Sequence, residues 1–214
     1  MINKIKDVFN DYYKLTIITA VISMITALLF ALFNGLIGMI SDAPWNLYIS
    51  IYYLLLIIVR METLIFEKKA YKDNNNEIRK KAYIASFCIL MVLNIALIGP
   101  IVLMIKNLRP GNIGMILSIA MAAYSFTSIT IAIINAKKSI KHDNLLVKQN
   151  RIIDLISALV SILILQHTLI VVNGDYTQDL VIMSVFTSAA IWAFIVFITI
   201  FSFVKNIKDN KYDE

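Results

Sequence analysis

The sequence predicts an all-α, polytopic membrane protein with six transmembrane helices in three tandem hairpins and both termini in the cytoplasm. Three observations predict this fold: six apolar runs of membrane-spanning length, a pattern that recurs three times, and basic residues concentrated at one end of the runs. A helix needs about 20 predominantly apolar residues to cross about 30 Å of hydrocarbon. The six runs cover residues of about 15–40, 46–66, 82–105, 112–135, 152–173 and 180–204.

The composition favours a bilayer environment for the whole chain. Its 214 residues are 59% hydrophobic and have a mean hydropathy of +0.77, which is more apolar surface than a soluble domain of this length can cover. The segments between the runs are too short to fold independently. Residues 1–214 are therefore predicted to form a single transmembrane domain. The one cysteine, Cys88, lies in the middle of the third run, where it can neither pair nor meet metal-site spacing.

In each predicted hairpin a basic residue precedes the first apolar run and another follows the second. The separations are 55 residues from Lys14 to Lys69, 57 from Lys81 to Lys138 and 54 from Arg151 to Lys205. The three exits share Lys-x-x-Lys followed by Asp-Asn, with one inserted residue in the second copy. A triplicated hairpin around a pseudo-threefold axis explains this pattern. Convergence also explains it, because lysine, aspartate and asparagine are favourable at the end of any helix.

The basic residues are distributed asymmetrically across the predicted membrane. Seventeen of the 20 lysines and arginines lie in the tails and in the second and fourth loops, whereas the opposite side has only Lys106 and Arg109. The positive-inside rule therefore predicts a multi-pass protein of the bacterial cytoplasmic membrane, with the N and C termini inside. The lipid bilayer is the expected partner, with anionic headgroups at the cytoplasmic loops. Nucleic acid is not an expected partner despite the net charge of +6.

The first run has some features of a secretory signal, because Lys4 and Lys6 precede it. Its length of about 26 residues exceeds the apolar core of a signal peptide. The one small-residue cleavage site, after Ala43, is followed by Pro44. We therefore expect a retained transmembrane helix.

The second run contains the most deeply placed basic residue, Arg60, about six residues or about 9 Å from the cytoplasmic end. An ionisable group at such a position costs roughly 2.5 to 3.5 kcal/mol on insertion scales, so it is a functional candidate. Glu62, two residues on, lies on a nearly opposite face. In one arrangement Arg60 snorkels to the headgroups, while Arg151 and Asp154 pair one turn apart. In the other, Arg60, Asp154 and Glu62 form a cytoplasm-facing cluster in a solute vestibule.

Helix-bending and small polar residues mark the third, fourth and sixth runs. In the third, Gly99-Pro100 predicts a kink, which either borders a binding site or is an ordinary feature of a membrane helix. The fourth carries Ser125 and Ser128 near one face, and the sixth repeats this pattern of hydroxyl side chains. Such residues either let helices pack closely and hydrogen-bond to one another, or line a narrow aqueous path.

The fifth run, which includes Asp154, also carries Gln166 and His167 toward its outer half. An imidazole here either relays protons, since its unperturbed pKa lies near neutrality, or is a neutral, hydrogen-bonded packing residue. No second histidine lies in a predicted membrane segment, because His142 is in a loop. A metal site therefore lacks ligands, and we expect neither a metal nor a cofactor.

Four segments stand out in the middle of the chain: Ala122-Ala123-Tyr124-Ser125-Phe126, Ala132-Ile133-Ile134-Asn135, Lys137-Lys138 and Ser157-Ala158-Leu159-Val160-Ser161. Together they resemble small, uncharacterised six-helix membrane proteins of low-GC Gram-positive bacteria, over helices 2 to 5 and more than half of the chain. The resemblance implies a location in the cytoplasmic membrane and no known activity. Those proteins carry a basic residue in the middle of helix 4, where this chain has Thr127 or Ser128. A function tied to that charge is therefore in doubt here.

An enzyme is not expected, because the sequence has no Gly-x-Ser-x-Gly, His-Glu-x-x-His or phosphate-loop motif. The first expected function is small-solute or ion transport, through a channel-like path lined by helices 2, 4 and 6. The alternative is a non-transporting accessory, immunity or stress-response protein that acts through a membrane partner, with a homo-oligomer as a further option. The candidate residues for a polar path or cluster are Arg60, Glu62, Asp154, His167, Gln166, Ser125 and Ser128.

Overall fold

The computed structural model describes residues 2–40, 44–73, 75–106, 115–139, 144–173 and 177–210. The secondary structure in these ranges is α-helical: α1 (Ile2–Ile40), α2 (Pro44–Asp73), α3 (Asn76–Ala96), α4 (Ile98–Lys106), α5 (Met115–Ser139), α6 (Leu145–Asn173) and α7 (Gln178–Asn210). The predicted fourth run corresponds to α5. The cleavage site at Ala43, the outer residue Arg109 and the loop residue His142 lie outside the described residues.

Five helical stretches within the described residues are long and apolar enough to cross a membrane. They are Ile17–Ile40, Pro44–Ala70, Asn76–Lys106, Leu145–Ile170 and Gln178–Lys208. Many large apolar side chains point outward on these stretches, for example Leu29 on α1 and Phe197 on α7. Outward apolar side chains are stable in hydrocarbon and costly in water. The prediction of an all-α fold is therefore confirmed for the described residues, which include five helices long and apolar enough to cross a membrane.

Several helices extend well beyond their apolar runs. α1 begins at Ile2 and α6 begins at Leu145, about 13 and seven residues before the respective runs. Hydropathy marks the segment that suits hydrocarbon, whereas a helix continues until its backbone groups find other partners. At the start of α6, Asn144 Oδ1 accepts hydrogen bonds from the backbone N–H of Leu146 at 3.0 Å and of Val147 at 3.2 Å. This N-cap satisfies amide donors and fixes the start of the helix in a polar segment.

The third membrane stretch is interrupted at Leu97, between α3 and α4. Pro100 has no amide hydrogen to donate to the carbonyl of Ala96, one turn earlier, and its ring crowds that turn. The helical pattern resumes at once, because the backbone N–H of Ile101 donates to Leu97 O at 3.3 Å. The interruption therefore lies where the proline predicts a kink.

α6 lies at the centre of the bundle. It packs against α1, α2, α3, α5 and α7, and 72% of its membrane stretch is buried, compared with 17% for that of α7. α6 also carries buried polar side chains, such as Gln149, Asn150 and Ser161, and polar groups in a membrane helix are more stable inside a bundle than against lipid. The largest core cluster includes Ile153, Ile156, Val160 and Leu163 of α6, which pack among residues of the surrounding helices.

The three predicted hairpins do not pack equivalently. α1 packs extensively along α2, and α5 packs extensively along α6, which belongs to the next predicted hairpin. The second predicted pair, the α3/α4 stretch with α5, is not closely packed within the described residues. The repeat predicts helices arranged around a central threefold axis. The described helices do not enclose such an axis, because α6 fills the middle of the bundle.

Glycine permits the close approach of α1 to α2. A Cβ atom at Gly38 would lie 2.8 Å from Leu47 Cγ and 3.0 Å from the backbone nitrogen of Leu47. Real Cβ contacts are not this short, so a side chain here would push α2 away. Small residues at a contact are the usual means of bringing two membrane helices together. Gly99 differs, since a Cβ there meets nothing within 4 Å.

Candidate functional site

Three charged side chains meet inside the helix bundle: Arg60 of α2, and Arg151 and Asp154 of α6. Arg60 Nη2 lies 2.8 Å from Asp154 Oδ1, and Arg151 Nη1 lies 3.3 Å from Asp154 Oδ2. The exposed fractions of Arg60, Arg151 and Asp154 are 2%, 5% and 7%. Arg60 therefore does not snorkel to the surface. Asp154 pairs with both arginines. The pair with Arg151 belongs to the first predicted arrangement, and the pair with Arg60 belongs to the second.

Hydroxyl groups of α1 complete this charge cluster. The hydroxyl of Ser23 accepts a hydrogen bond from Arg60 Nη1 at 2.5 Å and donates one to Asp154 Oδ1 at 2.7 Å. Thr19 Oγ1 accepts a hydrogen bond from Arg151 Nη2 at 2.9 Å. The cluster thus joins α1, α2 and α6 through three donors to one carboxylate. We define the charge cluster as Arg60, Arg151, Asp154, Ser23 and Thr19.

The charge cluster carries an excess of positive charge. Two guanidinium groups face one carboxylate, which leaves a formal net charge of +1 in a buried site. The Nε atoms of Arg60 and Arg151 are buried and have no hydrogen-bond partner within the described part of the chain. An uncompensated charge is costly in a medium of low dielectric constant. The surroundings of the cluster therefore favour hydrogen-bond acceptors and anions over cations.

A second polar layer lies two turns farther along α2, at Glu67. Its Oε2 accepts a hydrogen bond from Arg79 Nε at 3.0 Å, and its Oε1 accepts from Arg79 Nη2 at 3.1 Å and from Asn144 Nδ2 at 2.6 Å. Glu67 is only 4% exposed. This bidentate pair ties together the ends of α2, α3 and α6. Hydropathy does not predict this contact, because Glu67 follows the apolar run at 46–66.

A cavity of about 260 Å³ adjoins the charge cluster between α1, α5 and α6. Most of its lining side chains carry a hydroxyl, amide or carboxylate group: Thr19, Ser23, Thr26, Tyr124, Thr127, Ser128, Asn135, Asp154 and Ser157. Its described lining includes no residue of α2 or α7. Helices 2, 4 and 6 of the predicted path correspond to α2, α5 and α7, and of these only α5 contributes to the described lining of this cavity. The remaining lining residues belong to α1 and α6. A path lined by helices 2, 4 and 6 stays a prediction.

An aromatic pair lies at one end of the polar cavity. The rings of Phe30 and Tyr124 stack with centroids 4.4 Å apart and an interplanar angle of 11°. Beyond them lies a second cavity of about 240 Å³, which shares Thr26 and Tyr124 with the first and is otherwise lined by apolar side chains, including Leu29 and Phe30. The surface of both cavities is mostly apolar, and the first differs from the second in the number of polar groups in its wall.

The structure separates the sequence-predicted residues into different environments. Ser128 lines the polar cavity together with Asp154. Glu62 is half-buried, and no described contact links it to the charge cluster. Ser125 donates a hydrogen bond to Ser161 O at 3.0 Å, and Gln166 Nε2 donates to Thr187 Oγ1. Both of these bonds connect packed helices.

His167 lies apart from the charge cluster, near the start of α2. It is 2% exposed, and its ring meets that of Trp45 edge-to-face with centroids 4.4 Å apart. Neither ring nitrogen has a hydrogen-bond partner within the described residues. An aromatic contact of this kind is a packing interaction. These contacts favour the packing interpretation of His167 over the proton relay.

Ser23 and Thr19 are the site residues that the sequence reading missed. Hydroxyl side chains are frequent throughout the membrane stretches, so composition gave no signal for these two. The helical spacing of Thr19, Ser23 and Thr26 on one face of α1 was an available signal, since residues three and four apart share a face. That face lines the polar cavity.

No group of three or more metal-binding side chains lies close enough to hold a metal ion within the described residues. No known protein family, curated protein or solved structure matches this chain. The fold and the site together define the class: a multi-pass helical membrane protein with a charge cluster buried beside a polar cavity.

Proposed function

We propose that this chain is a small-solute transport protein of the bacterial cytoplasmic membrane and that its solute occupies the polar cavity between α1, α5 and α6. The observation that carries the proposal is the position of this cavity: it lies among membrane-spanning helices and has the carboxylate of a buried ionic cluster in its wall. Charged groups inside membrane stretches are costly, and they commonly mark solute or ion pathways. The proposal includes six membrane crossings, with both termini in the cytoplasm.

The charge bias of the chain supports a cavity on the cytoplasmic side. Asn135, which lines the cavity, lies in the last turns of α5, just before the basic pair Lys137-Lys138. Basic residues concentrate on the cytoplasmic side of membrane proteins. The cavity then extends from the cytoplasmic end of α5 toward the middle of the bilayer, where Phe30 and Tyr124 stack.

The size and lining of the cavity favour a small, neutral polar solute. A volume of about 260 Å³ corresponds to roughly eight or nine water molecules in the liquid. The one charged group in the described wall is the Asp154 carboxylate, which is already paired with two arginines. Hydroxyl and amide groups on the wall can both donate and accept hydrogen bonds. A neutral polar molecule therefore fits this cavity better than a metal cation or an anion.

The aromatic pair supplies a gate in this mechanism. Phe30 belongs to α1 and Tyr124 to α5, and the two helices contact each other at this stack. On either side of the stack a cavity lies between them. Separation of α1 from α5 would open the outer side, and renewed stacking would close it. A polar solute cannot rest in the apolar cavity beyond the stack without losing its hydrogen bonds.

Cysteine labelling tests whether water reaches the cavity, and from which side. In a Cys88→Ser background, Ser128→Cys should react with a membrane-impermeant methanethiosulfonate reagent in inside-out vesicles and be protected in right-side-out vesicles. Phe126→Cys is the matched control, because Phe126 is on the same helix but is 66% exposed on the outer, lipid-facing surface. Equal labelling of both positions would contradict a water-filled cavity.

Reconstituted liposomes test transport itself. Light scattering after osmotic shock should show faster re-swelling with the protein than without it for at least one solute in a panel of glycerol, erythritol, potassium acetate and potassium chloride. Ser128→Trp, which fills the cavity, should abolish the increase, whereas Phe126→Trp should retain it. The same permeability in protein-free liposomes for every solute, together with an unlabelled Ser128→Cys, would refute the proposal.

The accessory function is the second candidate, and α7 is the feature that favours it. Only 17% of its membrane stretch is buried. Phe186, Phe197 and Phe201 on this helix are 78%, 61% and 56% exposed. An outward aromatic surface of this kind suits a partner helix as well as lipid. A stoichiometric membrane partner that co-purifies with the wild type and is lost in Phe186→Ala, but retained in Leu29→Ala on α1, would support this function.

A further inference from the structure

A third cavity, of about 250 Å³, lies where the first turns of α6 meet the last turns of α7. It is separate from the polar cavity, and the two share no lining residue. Three cationic side chains line it: Lys148, Arg151 and Lys205. We define this cavity as the basic cleft. α6 begins and α7 ends here, so the cleft lies on the side of the membrane that the charge bias assigns to the cytoplasm.

Within the described residues, the positive charge of the basic cleft is only partly compensated. No aspartate or glutamate is among its described lining residues. Neither Lys148 nor Lys205 forms an ion pair with a described carboxylate, and the carboxylate of Asp154 is already shared between two arginines. Positive side chains that converge on one concave site raise the local concentration of anions. The charges therefore point to an anionic ligand.

An apolar strip continues from the cationic end toward the membrane interior. On α6, Ile152 and Leu155 lie one and two turns beyond Lys148, and both line the cleft. On α7, Phe201 and Ile198 lie one and two turns before Lys205 and line it from the other side. Residues at these spacings share a helix face. The cleft is thus cationic at its surface end and apolar along its depth.

We propose that the basic cleft is a binding site for an anionic glycerophospholipid of the cytoplasmic leaflet. Its phosphodiester headgroup would lie between Lys148 and Lys205, and an acyl chain would follow the apolar strip formed by Ile152, Leu155, Ile198 and Phe201. A soluble phosphate matches the charges but not the strip. Basic pockets between membrane helices on the cytoplasmic side are suited to such headgroups. This is a defined site for one lipid, which differs from diffuse attraction of headgroups to the basic loops.

Arg151 connects the lipid site to the candidate functional site. It lines the basic cleft, and its guanidinium also binds Asp154 and Thr19 of the charge cluster. The experiment leaves Arg151 unchanged for this reason. The proposal does not depend on transport, because lipid binding is measured directly on the purified protein.

Native mass spectrometry of the purified full chain with phosphatidylglycerol or phosphatidylcholine of the same acyl chains tests the proposal. Phosphatidylglycerol should bind one to one and at least about tenfold more tightly than phosphatidylcholine, given about 1 kcal/mol per basic residue near an anionic surface. In the double variant Lys148→Gln/Lys205→Gln, the ratio of the affinity for phosphatidylglycerol to that for phosphatidylcholine should fall by about tenfold or more. The matched control Lys72→Gln/Lys208→Gln removes two exposed lysines that do not line the cleft, and it should stay within about twofold of the wild type.

Three results would overturn the proposal. Equal loss of binding in the two double variants would show diffuse surface charge instead of a site. Equal binding of the two lipids would exclude charge recognition. Displacement of the lipid by an equimolar amount of inorganic phosphate or glycerol 3-phosphate would assign the cleft to a soluble phosphate ligand, because such a ligand does not use the apolar strip.

Discussion

Replacement of Asp154 by asparagine tests the charge cluster most directly. The native cluster has two guanidinium groups and one carboxylate, so its formal charge is +1. Asp154→Asn raises this charge to +2 and leaves both buried arginines without a counterion. Arg60→Met lowers it to zero and leaves the ion pair between Arg151 and Asp154 intact. Both substitutions therefore remove the ion pair between Arg60 and Asp154, but one raises the formal charge of the cluster and the other lowers it.

The structure gives different magnitudes for the two variants. Removal of one partner from a buried ion pair costs about 3–5 kcal/mol, because the remaining charge is buried and unpaired. Asp154→Asn should lie at the upper end of this range, since two charges lose their partner. Arg60→Met breaks hydrogen bonds to Asp154 and Ser23 but leaves no unpaired charge, so it should cost about 1–2 kcal/mol. For a chain of this size each kcal/mol lowers the Tm by about 2–4 °C.

Thermal unfolding in detergent, followed by tryptophan fluorescence, measures the difference. Trp45 and Trp192 are both packed between helices, where Trp192 Nε1 donates a hydrogen bond to Asn94 O at 2.8 Å, so their emission reports on the bundle. The Tm should fall at least twice as far in Asp154→Asn as in Arg60→Met. Glu62→Gln is the control on α2 and should leave the Tm within about 1–2 °C. If Arg60→Met is as destabilising as Asp154→Asn, the unpaired charge left in the cluster does not determine the loss of stability, and the reasoning is refuted.

Three further predictions use matched pairs or a single conservative change, and the same Tm measurement checks each. Gly38→Ala should cost about 1–3 kcal/mol by forcing α1 from α2, whereas Gly99→Ala should be neutral; equal effects would contradict the close approach. Glu67→Gln should cost about 2 kcal/mol by weakening the bidentate pair between Glu67 and Arg79. Glu77→Gln, in an ion pair more than 80% exposed, should change stability by less than about 0.5 kcal/mol. Similar costs would contradict a stabilising role of the Glu67–Arg79 clamp. His167→Phe should keep the Tm and solute permeability, because the ring is a packing element; lost permeability with unchanged Tm would favour the proton relay.

The extent of the helices was only partly predictable from the sequence. Hydropathy located the apolar centre of each described span, and Pro100 located the interruption near Leu97. Hydropathy could not show that α2 continues through Glu67 to Asp73, because a helical segment outside the hydrocarbon does not need to be apolar. The clamp between Glu67 and Arg79 was missed for that reason, although both residues are visible as charges in the sequence.

The candidate site was also partly predictable. An arginine and an aspartate inside apolar runs are conspicuous, because each is costly without a partner. Their distance of 2.8 Å and the second pairing of Asp154 with Arg151 follow from the packing of α2 on α6. Ser23 could not be singled out, since a serine in a membrane helix is common and stable with or without a charged neighbour.

The sequence by itself determined that the chain is helical and suited to a membrane, because length and apolarity are local properties of each run. It also determined which groups are too polar to face lipid. Only the tertiary structure decided that α6 lies at the centre, that α1, α5 and α6 surround the polar cavity, and that the predicted hairpins pack unequally. The physical reason is that hydrocarbon solvates every apolar face equally well. Neighbours are therefore selected by close packing and by hydrogen bonds between residues far apart in the chain, such as Ser23 and Asp154.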